Sequence, residues 1–330
     1  MISATTVPGK IKDIVRVLVA RKVPKHISGK FREITKRDFD TIEASLRRNY
    51  FAADEAYLSS DDGRKDLQEH LFRRLDNFRN TVIPWLDDAK PLKGASILEI
   101  GCGTGSSTVA LAEQGAEVTA IDILETSLTV ARERCQVYGV KADLLNMNAT
   151  EVHKAFSGQH FDFIIFFAAL EHMTHDERMD AMSNTWNMLS KGDLWCVIET
   201  PNRLWFYDAH TSLLPFYHWL PDDLAFKYSR FSSRKSFCER YREINGEAIL
   251  NFLRRGRGVS FHEFELTMDK TENLDVVSSL PIFLRKRSIL REMLWRLRTE
   301  GRYELFLTRV KPQIHRGFYQ PSLNLIIRKS

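Results

Sequence analysis

One glycine-rich turn and two histidines hold the residue types that could do chemistry in this chain. The turn is Gly101-Cys102-Gly103-Thr104-Gly105, entered by the apolar run Ile97-Leu98-Glu99-Ile100 and followed by the helix-favouring segment Ser106 to Glu113. Gly115 ends that segment, and a second apolar run, Val118 to Ile121, stops on Asp122. Strand, glycine turn, helix, strand and acid make the opening of a nucleotide-binding βαβ unit. Glycines let the backbone approach a ligand, and a carboxylate at the second strand tip accepts ribose hydroxyls. The spacing is G-x-G-x-G, whereas a dinucleotide site has G-x-G-x-x-G. Glu99 stands two residues before the first glycine. An acid there suits a cationic ligand better than a pyrophosphate. Further on, His172 and His210 are the candidate general bases, because a neutral imidazole takes up a proton near neutral pH.

S-adenosylmethionine (SAM) is a ribose-bearing ligand with a sulfonium and an ammonium. The stretch from Ile97 to Gly105 resembles motif I of the class I SAM-dependent methyltransferases: two aliphatic residues, an acid, another aliphatic residue, then Gly-Cys-Gly-x-Gly. The resemblance implies roles for particular residues. The backbone of Gly101, Cys102, Gly103 and Gly105 would pass under SAM, and Glu99 would help position its methionine end. Asp122 would hold the ribose and Ile123 would flank the adenine. Asn148 stands where the family often has an acid facing the adenine amine, with Ala149 supplying backbone and Phe167 lying along the methionine part. The product would be S-adenosylhomocysteine (SAH).

Two further segments carry the acceptor side of the resemblance. Ala169-Leu170-Glu171-His172 is similar to the L-E-H segment of small-molecule methyltransferases, such as the ubiquinone-type and sugar-modifying branches. The segment from Pro201 to Asp223, with Asn202, Arg203, Asp208, His210 and His218, is similar to segments of bacterial methyltransferases encoded among glycan or secondary-metabolite genes. It implies a substrate loop in which Asp208 orients His210. Asp208, His210 and His218 make a weak metal pattern, and no metal is expected. Arg203 and the later arginines suit an acidic acceptor, such as a phosphorylated or carboxylated glycan. The commoner role of such a charge run is a solvated face.

The remaining chain bounds this reading. Its 330 residues, 43% hydrophobic, suit one large α/β domain with additions. The four cysteines show no C-x-x-C spacing, which points to a reducing compartment and a cytoplasmic home. No apolar run approaches the ~20 residues of a membrane span. The net charge of +5 is uneven, with 12 Lys/Arg against 5 Asp/Glu over residues 1–50. Ile11, Ile14, Val15, Leu18 and Val19 fall at helical spacing among basic residues. This arm reads first as a helix packed on the main domain, and second as a peripheral membrane contact. After strand four the chain has Phe166-Phe167-Ala168-Ala169, where base-flipping amine methyltransferases carry an Asp/Asn-Pro-Pro-aromatic motif. A nucleic-acid acceptor is therefore disfavoured.

The expected architecture is a Rossmann-like, doubly wound sheet of seven strands, with the last strand antiparallel between strands five and six. Residues 1–90 form a basic helical extension or lid, with Tyr50, Phe51 and Tyr57 as lid aromatics. Residues 91–330 form the methyltransferase domain, with 201–257 as substrate loop and helical insertion. Strands are expected at 96–100, 118–122, 142–145, 161–167, 194–198, 259–268 and 322–328, with 275–300 helical. The reaction expected is O-methylation of a small molecule or glycan. The rival readings are an NAD-dependent oxidoreductase and a non-catalytic SAM-binding scaffold. Sequence alone gives no oligomeric state.

Overall fold

A computed structural model describes residues 34–238, 245–286 and 289–330. The basic arm and Arg240 and Arg242 lie outside the described residues. Seven strands form one sheet in the order β3-β2-β1-β4-β5-β7-β6. They are β1 Ser96–Ile100, β2 Glu117–Asp122, β3 Asp143–Asn146, β4 Phe163–Phe167, β5 Leu194–Pro201, β6 Asp275–Ser279 and β7 Ser322–Arg328. β1 pairs in parallel with β2 and β4, and β7 runs antiparallel to both β5 and β6. The order reverses at β1, which puts the ligand crevice at the carboxyl ends of β1 and β4.

The helices that matter for the site are α1 Lys36–Ser45, α2 Asp61–Gln68, α3 Ile83–Ala89, α4 Ser106–Ala112, α5 Glu125–Tyr138, α6 His175–Met188, α7 Phe261–Thr267, α8 Leu280–Lys286, α9 Ile289–Leu297 and α10 Thr299–Val310. Each residue of β4 is buried, because successive side chains enter two different cores. Phe163, Ile165 and Phe167 join Phe78, Trp85 and Leu111, whereas Ile164 and Phe166 join Met182, Trp186 and Phe264. A fully buried Phe or Ile contributes about 1.5–3 kcal/mol, so this strand anchors both layers.

Two expectations fail between β5 and β7. Residues 259–268 are not strand six: Val259 makes one bridge to Asn202, and 261–267 are helix α7. Ser260 and Glu263 form a reciprocal capping box, and that start signal outweighs the apolar alternation. Strand six is instead Asp275–Ser279, at the head of a segment expected to be helical.

The helical segments before β1 are joined to the sheet by one buried cation. Arg134 of α5 is wholly buried. Its Nε donates to the Thr104 carbonyl at 2.8 Å, Nη2 to that of His70 at 2.6 Å and Nη1 to that of Leu71 at 3.3 Å. The planar fork reaches three acceptors at once, which an ammonium on a flexible stem does not. Thr104 belongs to the glycine turn, so α5, the turn and the preceding helical layer are held as one unit. An Arg134→Lys variant should therefore lose about 3 kcal/mol of stability. Urea unfolding followed by circular dichroism measures this, and a loss below about 0.5 kcal/mol would contradict the clamp.

Candidate active site

The glycine turn lies against the start of the segment after β4. Gly101 has φ +82°, and a Cβ built there would sit 2.7 Å from Ala169 Cβ and 3.0 Å from the Phe167 carbonyl oxygen. Gly103 has φ +50°, and a Cβ there would meet no protein atom within 4 Å. The first glycine permits close packing, and the second leaves open space where a ligand can approach the backbone. Asp122 braces the turn: Oδ2 accepts from Gly103 N and Oδ1 from Leu124 N, both at 2.9 Å. Beside it Ile123 and Leu124 are 57% and 54% exposed. That is an apolar shelf next to a carboxylate, as a nucleoside needs.

Several expected ligand contacts are instead supports. Glu99 is fully buried, with its carboxylate accepting from Ser107 Oγ and from Thr108 Oγ1 at 2.6 Å. Burial raises its pKa to about 7, and it pins β1 to α4 without facing the crevice. Cys102 and Ala149 are buried too. Asn148 Oδ1 accepts from both Thr150 N and Thr150 Oγ1 at 3.0 Å. The oxygen expected to accept from an adenine amine is therefore committed, and the side-chain NH2 remains. Phe167 packs edge-on to Phe78 at 5.3 Å and is a core residue.

The expected lid aromatics meet a histidine that sequence reasoning missed. His70 is buried beneath Tyr50, with ring centroids 4.3 Å apart, and its Nδ1 lies 3.3 Å from Thr104 Oγ1. Phe51 meets the same ring edge-on, and Tyr57 lies 6.2 Å from Phe51. Burial raises the Tyr50 hydroxyl pKa; Arg74 opposes this, and the Asp66 and Asp122 carboxylates add to it.

The two histidines singled out in the sequence come together, with ring centroids 6.1 Å apart. His172 Nδ1 is 2.8 Å from the Arg254 carbonyl oxygen. A carbonyl only accepts, so Nδ1 carries the proton and neutral His172 keeps its lone pair on Nε2. His210 is more constrained: Nδ1 lies 3.1 Å from Thr211 Oγ1 and Nε2 lies 4.0 Å from Glu171 Oε1. Glu171 is fully buried, and its Oε2 accepts from Thr200 Oγ1 at 3.0 Å while Oε1 has no hydrogen-bond partner.

A second carboxylate, Glu199, stands on a strained backbone within electrostatic reach of Glu171. The pairing of β5 with β7 slips between Val197 and Thr200. Glu199, inside that bulge, has φ +62°, and its N–H donates to Asn324 Oδ1 at 2.9 Å. Ala168, at the end of neighbouring β4, has φ +42° and donates its N–H to Ile198 O. Bulges redirect side chains, and strain of ~1–3 kcal/mol persists where the surroundings over-determine it. Burial raises the Glu199 pKa; Arg74 opposes it, and Glu171 and Glu69 add to it. Glu199 carried no sequence signal, whereas Glu171 stood beside His172 in plain view.

The expected substrate loop is mostly self-supporting. Asn202 donates to the carbonyls of Phe318 and Gln320 at 2.7 and 2.8 Å, and its Oδ1 accepts from Leu204 N. Asp208 accepts from the backbones of His210 and Thr211 and from Ser212. Burial alone would raise its pKa, but His218 and these amides hold it well below the carboxylate range. Asp208 therefore orients His218, 3.3 Å away, and braces the turn that carries His210 without touching the His210 ring. His218 is buried, with Nδ1 accepting from Gly258 N at 3.0 Å.

The arginines expected to meet an anion are also largely occupied. Arg254 pairs with Glu177 at 2.5 Å, Arg257 pairs with Asp222 at 3.0 Å, and Arg234 donates to the carbonyls of His210 and Thr211. Burial lowers the pKa of Arg203, with Arg257 adding to it. Among the described residues, one His/Asp group has the spacing of a cation site: His160, Asp162 and Asp193. It lies at the opposite edge of the sheet, and Lys90 Nζ already contacts both carboxylates at 2.5 and 3.3 Å.

Residues 97–192 match the family described as "Methyltransferase domain". The ubiquinone biosynthesis O-methyltransferase of Pseudomonas paraeruginosa is 34% identical over 106 residues, covering 32% of this chain and 45% of that protein. The enzyme of the same name from Thiobacillus denitrificans is 33% identical over 132 residues, covering 40% and 55%. The chain thus spans about half the length of the curated relatives it matches. Among solved structures, magnesium protoporphyrin IX methyltransferase from Synechocystis aligns with TM-score 0.36 and 21% identity, over 51% of this chain and 74% of that one.

Two predictions follow from the turn and its cover. Gly101→Ala should cost about 1–3 kcal/mol, from the clash and the positive φ together, whereas Gly103→Ala should cost about 1 kcal/mol. Thermal unfolding of the two variants should rank them in that order. His70 has its pKa lowered to about 3 by burial, with Arg74 and Arg134 adding, against an ordinary 6.5. The unfolded chain then binds the extra proton, so stability is full above pH 6.5 and falls as pH drops towards 3. Between about pH 6.5 and 5 the loss is at most ~2 kcal/mol. His70→Gln should flatten that slope in urea titrations, and an unchanged slope would refute the assignment.

Proposed function

We propose that this chain, a class I SAM-dependent methyltransferase by the domain it carries over residues 97–192, transfers a methyl group from SAM to a hydroxyl oxygen of a small-molecule or glycan acceptor. SAM supplies a methyl group already activated by the sulfonium charge, so the protein's main tasks are alignment and proton removal. The open backbone at Gly103, the carboxylate of Asp122 and the exposed Ile123 fit its nucleoside. Asp122 would take the ribose hydroxyls on its remaining lone pairs, and Ile123 would cover one adenine face.

The observation that carries the reading is the tautomer of His172. With Nδ1–H held by the Arg254 carbonyl, Nε2 is left as an acceptor at the carboxyl edge of β4. His172 Nε2 would take the acceptor's proton as the oxygen attacks. The Arg254 carbonyl would keep its hydrogen bond to Nδ1–H while the proton is taken up on Nε2. His210, whose two ring nitrogens face Thr211 and Glu171, would position the acceptor without serving as base.

The buried Glu171 carboxylate beside His210 argues against an anionic acceptor, which the arginine-rich segment had suggested. The partnerless Oε1 of Glu171 calls for a hydrogen-bond donor. An uncharged acceptor rich in hydroxyls fits better than a phosphorylated or carboxylated one. No helix among the described residues is long and apolar enough to cross a membrane.

The test is labelled-SAM transfer to neutral and to carboxylated glycans, free and lipid-linked, followed by variant kinetics on the acceptor found. His172→Gln should lower kcat about a hundredfold or more with SAM affinity unchanged, and His210→Gln about tenfold with a raised acceptor KM. Full activity of His172→Gln alongside loss in His210→Gln would reverse the assignment. SAM binding with no acceptor methylated would favour the scaffold.

A further inference from the structure

The hairpin of α9 and α10 is built the wrong way round for a helix pair packed on a domain. Its buried side is polar. Glu304 of α10 is fully buried and accepts from Arg285 Nη2 at 3.2 Å, from Arg316 Nε at 2.9 Å and from Trp295 Nε1. Glu292 of α9 adds contacts to Arg285 at 3.2 Å and to Arg296 at 3.0 Å. The Arg285 guanidinium lies over the Trp295 ring, 4.6 Å from its centre. Its solvent side is apolar. Leu290, Met293, Leu294 and Leu297 fall at i, i+3, i+4 and i+7, one stripe of α9, and all four are exposed, Leu297 by 68%. α10 adds exposed Phe306 and Val310, four residues apart. A stripe of this kind ordinarily faces a core, so its exposure marks an interaction surface.

Charge selects the partner. No carboxylate between residues 289 and 310 is exposed, whereas Arg296, Arg298, Arg302 and Arg309 are. The occupant must therefore be apolar where it meets the leucines and anionic around them. A second copy of this chain would bring arginines against arginines. Residues 1–33, with 8 Lys/Arg against 2 Asp/Glu, carry the same sign. An anionic lipid surface satisfies both demands: acyl chains take the stripe, and headgroups take the arginines.

We propose that the α9–α10 hairpin is a docking element for an anionic membrane surface, lying in the interfacial plane. Its attachment gives the docking a consequence. Tyr303 of α10 donates to the Leu204 carbonyl at 2.9 Å, and its ring packs edge-on against Trp205 and Phe206. The hairpin thus holds the loop after β5, and docking would set that loop at headgroup depth. The inference rests on the hairpin alone and stands whether or not the methyl-transfer assignment holds.

The experiment is co-sedimentation of the full chain with phosphatidylcholine vesicles, with and without about a third phosphatidylglycerol. The wild type should bind the anionic vesicles, more weakly as salt rises, and should not bind the neutral ones. Met293→Glu/Leu297→Glu should weaken binding about tenfold or more, and so should Arg298→Glu/Arg302→Glu, which leaves the stripe intact. Both pairs are surface changes, and matching thermal melts would show that they fold. Arg21→Glu/Lys22→Glu, in the basic arm, should retain binding that still depends on the hairpin. The proposal is overturned if the wild type does not bind. It is equally overturned if both hairpin pairs bind like the wild type, or if the stripe variants dissolve a dimer while vesicle binding is unchanged.

Discussion

The architecture of the site depends on a cation buried without a carboxylate. Arg134 reaches the carbonyls of Thr104, His70 and Leu71, and burial lowers its pKa to about 10. Removing a guanidinium from water is costly, and only well-aligned acceptors on every side repay it. That requirement has a geometric result. The carbonyls come from the glycine turn and from the helical layer before β1, and the guanidinium comes from α5. If any of the three moves, the buried charge loses at least one acceptor. The turn that would carry the nucleoside and the layer that covers it are therefore set by the same side chain.

A similar economy operates on the acceptor side. Arg178 joins Glu263 of α7 at 3.0 Å to the Leu170 carbonyl at 2.9 Å, and Arg254 joins Glu177 to the His172 carbonyl. These arginines bridge the insertion after β5 to the turn after β4, where His172 sits. The strain stored at Ala168 and Glu199 lies within the same corner. Rigid supports around strained, partly unsatisfied groups are what a preorganised site requires, since its donors and acceptors must not relax before the ligand arrives. The hairpin of α9 and α10 extends the pattern outwards, with its polar network buried and its apolar face exposed.

Much of this was legible in the sequence, and the exceptions share a cause. The βαβ unit from Ile97 to Asp122 and the seventh strand at Ser322–Arg328 appear as read, because apolar runs and glycines act locally. Strand six was misplaced at 259–268 because the helix start marked by Ser260 and Glu263 was passed over. Asp208 was read as a ligand-binding group although its amide partners are the next residues of its own turn. Asn202 and His218 were read so because their partners are carbonyls and amides distant in the chain, which leave no motif. Arg134 and His70 were invisible for the same reason. Glu99 kept its place in the glycine motif but turned inward to Ser107 and Thr108.

The turn, Asp122 and the shelf at Ile123 have the geometry of a SAM site. The most direct measurement is calorimetric titration of the full chain with SAH and, separately, with NAD. SAH should bind saturably at 1:1 and lose that binding in Asp122→Ala, and NAD should give no heat of binding. Saturable NAD binding with none for SAH would contradict it.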